Sequence, residues 1–309
     1  MTNEQTSANR HNVHATGRQK LLAHLAMLLF AMLIASSFSI GGLATRSMPP
    51  IALQAVRYGA TVAVIGTLCF GVFRHRFSLP SEPARFFVLG LLMAVYMVTM
   101  FIALQFTAPV ATGAVFTLMP LASAVFAWML MRQRTRPNVL LSLLLAAVGA
   151  IWVIFRGDLA ALLAFDVGRG ELIYFVGVLC HAAYVPLLRR FNRGEPAIVF
   201  VFWATVCTLF FILIPATPQL ASIDYAALPG FVWFAALYLA VVTTGITFFL
   251  LQFASMRLPA PKVLGYGYLT PTFIIVLEGL IGHGWASASV FAGALVTAGG
   301  LLLMARLPD

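Results

Sequence analysis

Apolar residues in this chain gather into long runs separated by short polar breaks. The runs lie near residues 21–45, 51–73, 86–106, 110–131, 138–156, 171–188, 197–215, 229–252, 262–282 and 287–305. They are apolar on all sides, without the alternation of barrel strands or the polar face of a surface helix. A helix needs about 20 apolar residues to cross a bilayer. The pattern therefore predicts an all-α integral membrane protein with ten transmembrane helices. The first run is too long for the apolar stretch of a signal peptide and is expected to stay as a span. Residues 1–20 are polar and are expected to form a cytoplasmic tail.

Composition points the same way. Of 309 residues, 61% are hydrophobic and 9% are charged, against about 25% charged in an ordinary soluble domain. So few polar residues cannot cover a soluble core of this size, which excludes a soluble enzyme, a disordered chain and a disulfide scaffold. The three cysteines, Cys69, Cys180 and Cys207, sit inside apolar runs without metal-ligand spacing and read as packed thiols.

Charge then orients the spans. Lys and Arg number 19 against 9 acidic residues, a net charge of +10. The basic residues fall almost entirely in alternate breaks. Arg46, Arg156 and Arg169 are the exceptions on the other side, and Arg57 lies within a run. This bias marks the cytoplasmic side, puts both termini there, and removes any need for a nucleic-acid partner. The expected location is a bacterial inner membrane.

The two halves echo each other. Pro50 opens the second run with Arg57 seven residues on, and Pro196 opens the seventh with Trp203 seven residues on. Pro120 lies in the fourth run and Pro271 in the ninth. Five runs per half would turn the second half over relative to the first.

With Ala35-Ser36-Ser37-Phe38, Pro50 and Arg57, the stretch from Ala103 to Pro109, Pro120, and the later Pro196 and Pro271, the chain resembles the EamA family of the drug/metabolite transporter superfamily. The resemblance covers nearly all of residues 21–306. It implies two inverted five-helix repeats, 21–156 and 171–306, around a central cavity with alternating access. It also implies export, or sometimes uptake, of small metabolites. Where the family often carries Glu at the end of span 4, this chain has Gln133.

Polar residues inside the runs are the candidate chemistry, because intramembrane charge costs about 2.5–3.5 kcal/mol even on lenient scales. Glu278 is the acidic residue within a span and Arg57 the basic one. At 1.5 Å per residue they lie about 8 and 10 Å from the external ends of their spans. They are expected to pair or to face one outer vestibule; the alternative has Arg57 snorkelling outward and Glu278 unpaired near the interface. His181 shares a register with Ser36-Ser37 and reads either as a substrate or proton group or as a packing histidine. Ser37, Tyr96, Gln105, His181, Tyr184, Trp203 and Tyr266 are the candidate substrate contacts, with Glu278 and Arg57 as coupling or gating residues. His24, close to Lys20, reads as interfacial.

No zinc-protease, nucleophile-elbow, paired-aspartate or Walker pattern appears. The expectation is a secondary transporter without metal or cofactor, a monomer or homodimer in the lipid bilayer. Its small-molecule substrate would be an amino acid or an aromatic or amphipathic compound, with efflux as the leading direction. If transport is proton-coupled, Glu278 or His181 is the candidate carrier. The alternatives are uptake of a vitamin-like nutrient, a non-transporting membrane scaffold, or an intramembrane transferase.

Overall fold

The computed structural model describes residues 15–45, 47–103, 106, 115–155, 157–164, 167–281, 285 and 287–308, with only the backbone at 38, 39, 42, 43, 278 and 281. Every regular element among them is a helix. The first five are α1 (Gly17–Ala44), α2 (Pro50–Val72), α3 (Pro83–Ala103), α4 (Met119–Met131) and α5 (Pro137–Ile154). After a short turn of helix at Leu159–Leu163 come α6 (Arg169–Phe191), α7 (Ala197–Ala221) and α8 (Gly230–Ser255). The ninth, α9, is built from Ala260–Gly265, Tyr266–Leu269 and Thr270–Ile281, and α10 is Ala288–Arg306. Among the described residues, eight helices are long and apolar enough to cross a membrane, and α4 is a shorter apolar one.

Proline sets most of the starts. Pro50, Pro120 and Pro137 stand in the first turns of α2, α4 and α5, and Pro196, Pro229 and Pro259 immediately precede α7, α8 and α9. A first-turn residue has no intrahelical use for its N–H, so proline fits there at no cost. The sequence boundaries hold to a few residues, save that the start of the fourth run at 110 lies outside the described residues and the seventh run differs more. The seventh helix runs to Ala221, past Pro215 and Pro218, because a spanning helix tolerates proline where neighbouring groups satisfy the freed carbonyls.

The helices pack in matched pairs. Contacts of α3 with α6 correspond to those of α8 with α1, α4 with α6 to α9 with α1, and α3 with α7 to α8 with α2. Helices α2 and α7, α4 and α9, and α5 and α10 each pack on their own counterpart. This is the contact pattern that exchanging α1–α5 with α6–α10 requires.

One end of the bundle collects the basic breaks. Arg85 pairs with Glu195 and donates to the Phe191 carbonyl at 2.5 Å, Arg193 pairs with Glu82 at 3.2 Å, and Arg190 donates to the Leu130 carbonyl. Lys20 and Lys262 both donate to the Leu307 carbonyl, and Arg257 meets Gln19. The starts of α1, α3, α7 and α9 and the ends of α4, α6, α8 and α10 therefore meet at this arginine-rich end.

Candidate functional site

Midway along the helices lies a cavity of about 60 Å³. One water needs about 10–15 Å³ by this measure, so there is room for roughly four or five. Its polar wall is Arg57, Tyr96, His181, Thr243, Thr247 and Thr270; Phe30, Met93, Met97, Phe116, Phe248 and Leu251 supply much of the apolar wall. The lining comes from α1, α2, α3, α6, α8 and α9 and from Phe116 ahead of α4, so both halves contribute.

Two irregular turns shape this wall. In α9, Pro271 has no N–H to give the Gly267 carbonyl, and the Thr270 N–H takes that carbonyl instead at the tighter spacing. Tyr266–Leu269 is consequently a 3₁₀ turn. Gly267 faces Phe116 so closely that an added Cβ would sit 2.8 Å from its ring. Tyr268 donates to the Thr117 carbonyl at 2.8 Å and ties this turn to the segment before α4.

In α8, Val241–Ile246 is a π turn, which leaves carbonyls without their ordinary partners. Hydroxyls take them up. Thr243 and Thr244 both donate to the Leu239 carbonyl, at 3.1 and 2.9 Å, and Thr61 of α2 reaches the Ala240 carbonyl at 3.1 Å. Thr247 donates to the Thr243 carbonyl at 2.9 Å. Arg57 completes the set from α2. Its Nη2 donates to the Thr243 carbonyl at 3.1 Å and hydroxyl at 3.2 Å, and its Nε to the Thr244 hydroxyl at 2.5 Å. Among the described residues its Nη1 has only a 3.5 Å contact with Gln54. Arg57 is 7% exposed. The guanidinium thus clamps the π turn in the opposite half while lining the cavity.

His181 lies 4.4 Å, ring centre to ring centre, from Tyr96 and 6.0 Å from Tyr184. It is 6% exposed, and neither ring nitrogen has a hydrogen-bond partner among the described residues. Tyr96 also lies 6.1 Å, ring centre to ring centre, from Tyr174. Room for Tyr96 on α3 comes partly from Gly177 of α6, where a Cβ would meet the Thr99 hydroxyl at 2.1 Å.

Of the residues expected from sequence, Tyr96, His181 and Arg57 come together on this cavity. Tyr184 lines a second, tight crevice beside Gln252, toward the arginine-rich end. Ser37 returns its hydroxyl to the Ile34 carbonyl at 2.7 Å. Trp203 stands among Phe77 and Phe202, away from the cavity lining. Tyr266 is buried against His24, whose Nδ1 is 2.8 Å from its hydroxyl. His24, expected near the interface from its closeness to Lys20, is a buried partner of α9. Gln105 and the side chain of Glu278 lie outside the described residues, as does the expected contact of Glu278 with Arg57. Thr243, Thr244 and Thr247 were not singled out from sequence; the signal available was a cluster of hydroxyls in an otherwise apolar run. No group of three His, Cys, Asp or Glu able to hold a metal stands together among the described residues.

The comparisons with known proteins fit this architecture. The profile of the EamA-like transporter family matches residues 21–155 and again 168–306. The chain belongs to that family, and it is a multi-pass membrane protein of the transporter class. It is 21% identical over 278 residues to the uncharacterized transporter YyaM of Bacillus subtilis (strain 168), covering 89% of this chain and 91% of that protein. A crystal structure described only as that of a protein superposes with a TM-score of 0.76 at 20% identity, over 95% of this chain and all of the other. That likeness concerns the fold. Family and relative point to transport and not to catalysis.

Proposed function

We propose that the protein is a secondary transporter of a small organic metabolite in a bacterial inner membrane, with both termini cytoplasmic. Residues 21–156 and 171–306 form two five-helix repeats of opposite orientation behind a tail at 1–20, and they rock about the central cavity to expose it to each side in turn. One observation carries this reading: a largely apolar cavity with a few polar groups at mid-helix depth, walled by both halves, with a buried histidine whose nitrogens have no partner among the described residues.

Tyr96, His181 and Arg57 hold the substrate, and the aromatic wall selects an amino acid or another aromatic or amphipathic compound. The arginine-rich end is the cytoplasmic gate, which the Arg85–Glu195 and Arg193–Glu82 pairs latch. Efflux is the favoured direction, on family grounds. Glu278 or His181 carries the proton if a pH gradient drives the movement. A metabolite screen in proteoliposomes, with and without a pH gradient, tests the proposal. Saturable exchange that falls at least tenfold in His181→Ala is the expected result. Absence of exchange for every solute, with protein correctly inserted, rejects it.

A further inference from the structure

We infer that the solute bound in the central cavity is an organic anion, a compact carboxylate with an aromatic or branched apolar tail, held by the Arg57 guanidinium. This rests on the transporter reading and narrows its substrate class. Arg57 is the one formally charged group among the described lining residues, and it is nine-tenths buried. Its contacts there are all with neutral groups: two threonine hydroxyls, a backbone carbonyl and the Gln54 amide oxygen.

A buried cation solvated only by neutral dipoles keeps a strong affinity for an anion. The guanidinium presents donors in a fork that matches a carboxylate. Nη1 is the arm with donors to spare, since its one contact among the described residues is at 3.5 Å. Around it stand Phe30, Phe116, Phe248 and Tyr96, a wall suited to a flat apolar tail. His181 offers a second polar anchor through its unpartnered nitrogens. An ammonium-bearing solute finds no carboxylate on the described lining and meets a fixed positive charge instead.

The test uses the full chain in lipid nanodiscs and three nearly isosteric probes: benzoate, benzamide and benzylamine. Thermal unfolding is followed at millimolar probe. Benzoate is expected to raise Tm by at least about 2 °C, while the neutral amide and the cationic amine leave it unchanged. Arg57→Gln should erase the benzoate shift. A shift that survives in Arg57→Gln overturns the inference, and so does a larger shift with benzamide or benzylamine than with benzoate. If the Arg57 variant does not fold, the probe series on the unaltered protein decides alone. Failure here leaves the transporter reading standing, because that reading falls only if proteoliposomes show no saturable exchange of any solute.

Discussion

The α5–α10 seam and the α2–α8 wall are both contacts between the two halves, yet they are built oppositely. Along the seam, backbone meets backbone. A Cβ at Gly149 would sit 2.6 Å from the Gly293 carbonyl oxygen, and one at Gly300 would sit 2.7 Å from the Ala146 nitrogen. Trp152 closes its end by donating to Ser289. Small residues allow this approach where lipid supplies no hydrophobic drive between helices. The outer faces are apolar and exposed, with Leu295 and Leu141 pointing away from the protein.

The α2–α8 wall instead joins helices through Arg57, Thr61 and a π turn, with a cavity beside it. A glycine seam with backbone pressed on backbone has little room to repack. A network of hydroxyls and a guanidinium around an irregular turn holds donors that can rotate to other acceptors. The seam is therefore suited to serve as a fixed axis, and the polar wall to change with its contents.

Glycine substitutions test this contrast most severely. Gly300→Val should cost about 3 kcal/mol in stability, read as a lower Tm of the purified protein in detergent. Its neighbour Gly299 has nothing within 4 Å of a Cβ, so Gly299→Ala should keep or raise Tm, by less than about 1 kcal/mol. Equal behaviour of the two variants would remove the idea of a rigid seam.

On the polar wall, Arg57→Gln should reduce exchange more than tenfold while the protein still folds. Its loss unties the Thr243 carbonyl and removes the cavity's charge; wild-type exchange rates in that variant would detach the clamp from function. Smaller effects are expected from Tyr96→Phe and His181→Gln. Each deletes or displaces one hydrogen-bonding group, worth about 1 kcal/mol or roughly fivefold in KM. A change in Tm without a change in KM would mark them as packing residues.

The arginine-rich end should give the weakest signal. Partial burial pushes the Glu195 carboxyl up, but the Arg85 guanidinium and the Arg193 backbone N–H outweigh that and hold it below the ordinary glutamate value. A lowered carboxyl contributes stability that is present above its unfolded value, about 4.3, and is lost as pH falls through its folded value. Wild-type Tm should therefore fall somewhat more steeply than that of Glu195→Gln below about pH 4.3. Identical pH profiles would mean that the pair is a loose surface contact.

Much of the architecture was legible in the residues. Run length, the alternation of basic breaks and proline at the helix starts each follow from local chemistry, so the helix map needed no contacts. The site was legible only in part. Arg57 and His181 stood out because a polar group in an apolar run is expensive wherever it points. Tyr96 could not be told from Trp203 or Tyr266 in the same way. An aromatic ring is equally at home in a cavity wall, a helix contact or a lipid interface, and its sequence neighbours are apolar in all three.

By itself, then, the sequence determined that the chain is a bundle of membrane helices in two related halves, because burying a backbone in lipid leaves a run of apolar residues little choice but helix. Only the tertiary structure decided which side chains share the cavity. The π turn in α8 and the 3₁₀ turn in α9 rotate their helices by a fraction of a turn, and such small rotations choose which residue faces inward. Their carbonyls are satisfied by Thr61, Arg57 and Thr270, and two of these are supplied or withheld by packing against a helix nearly two hundred positions away in the chain.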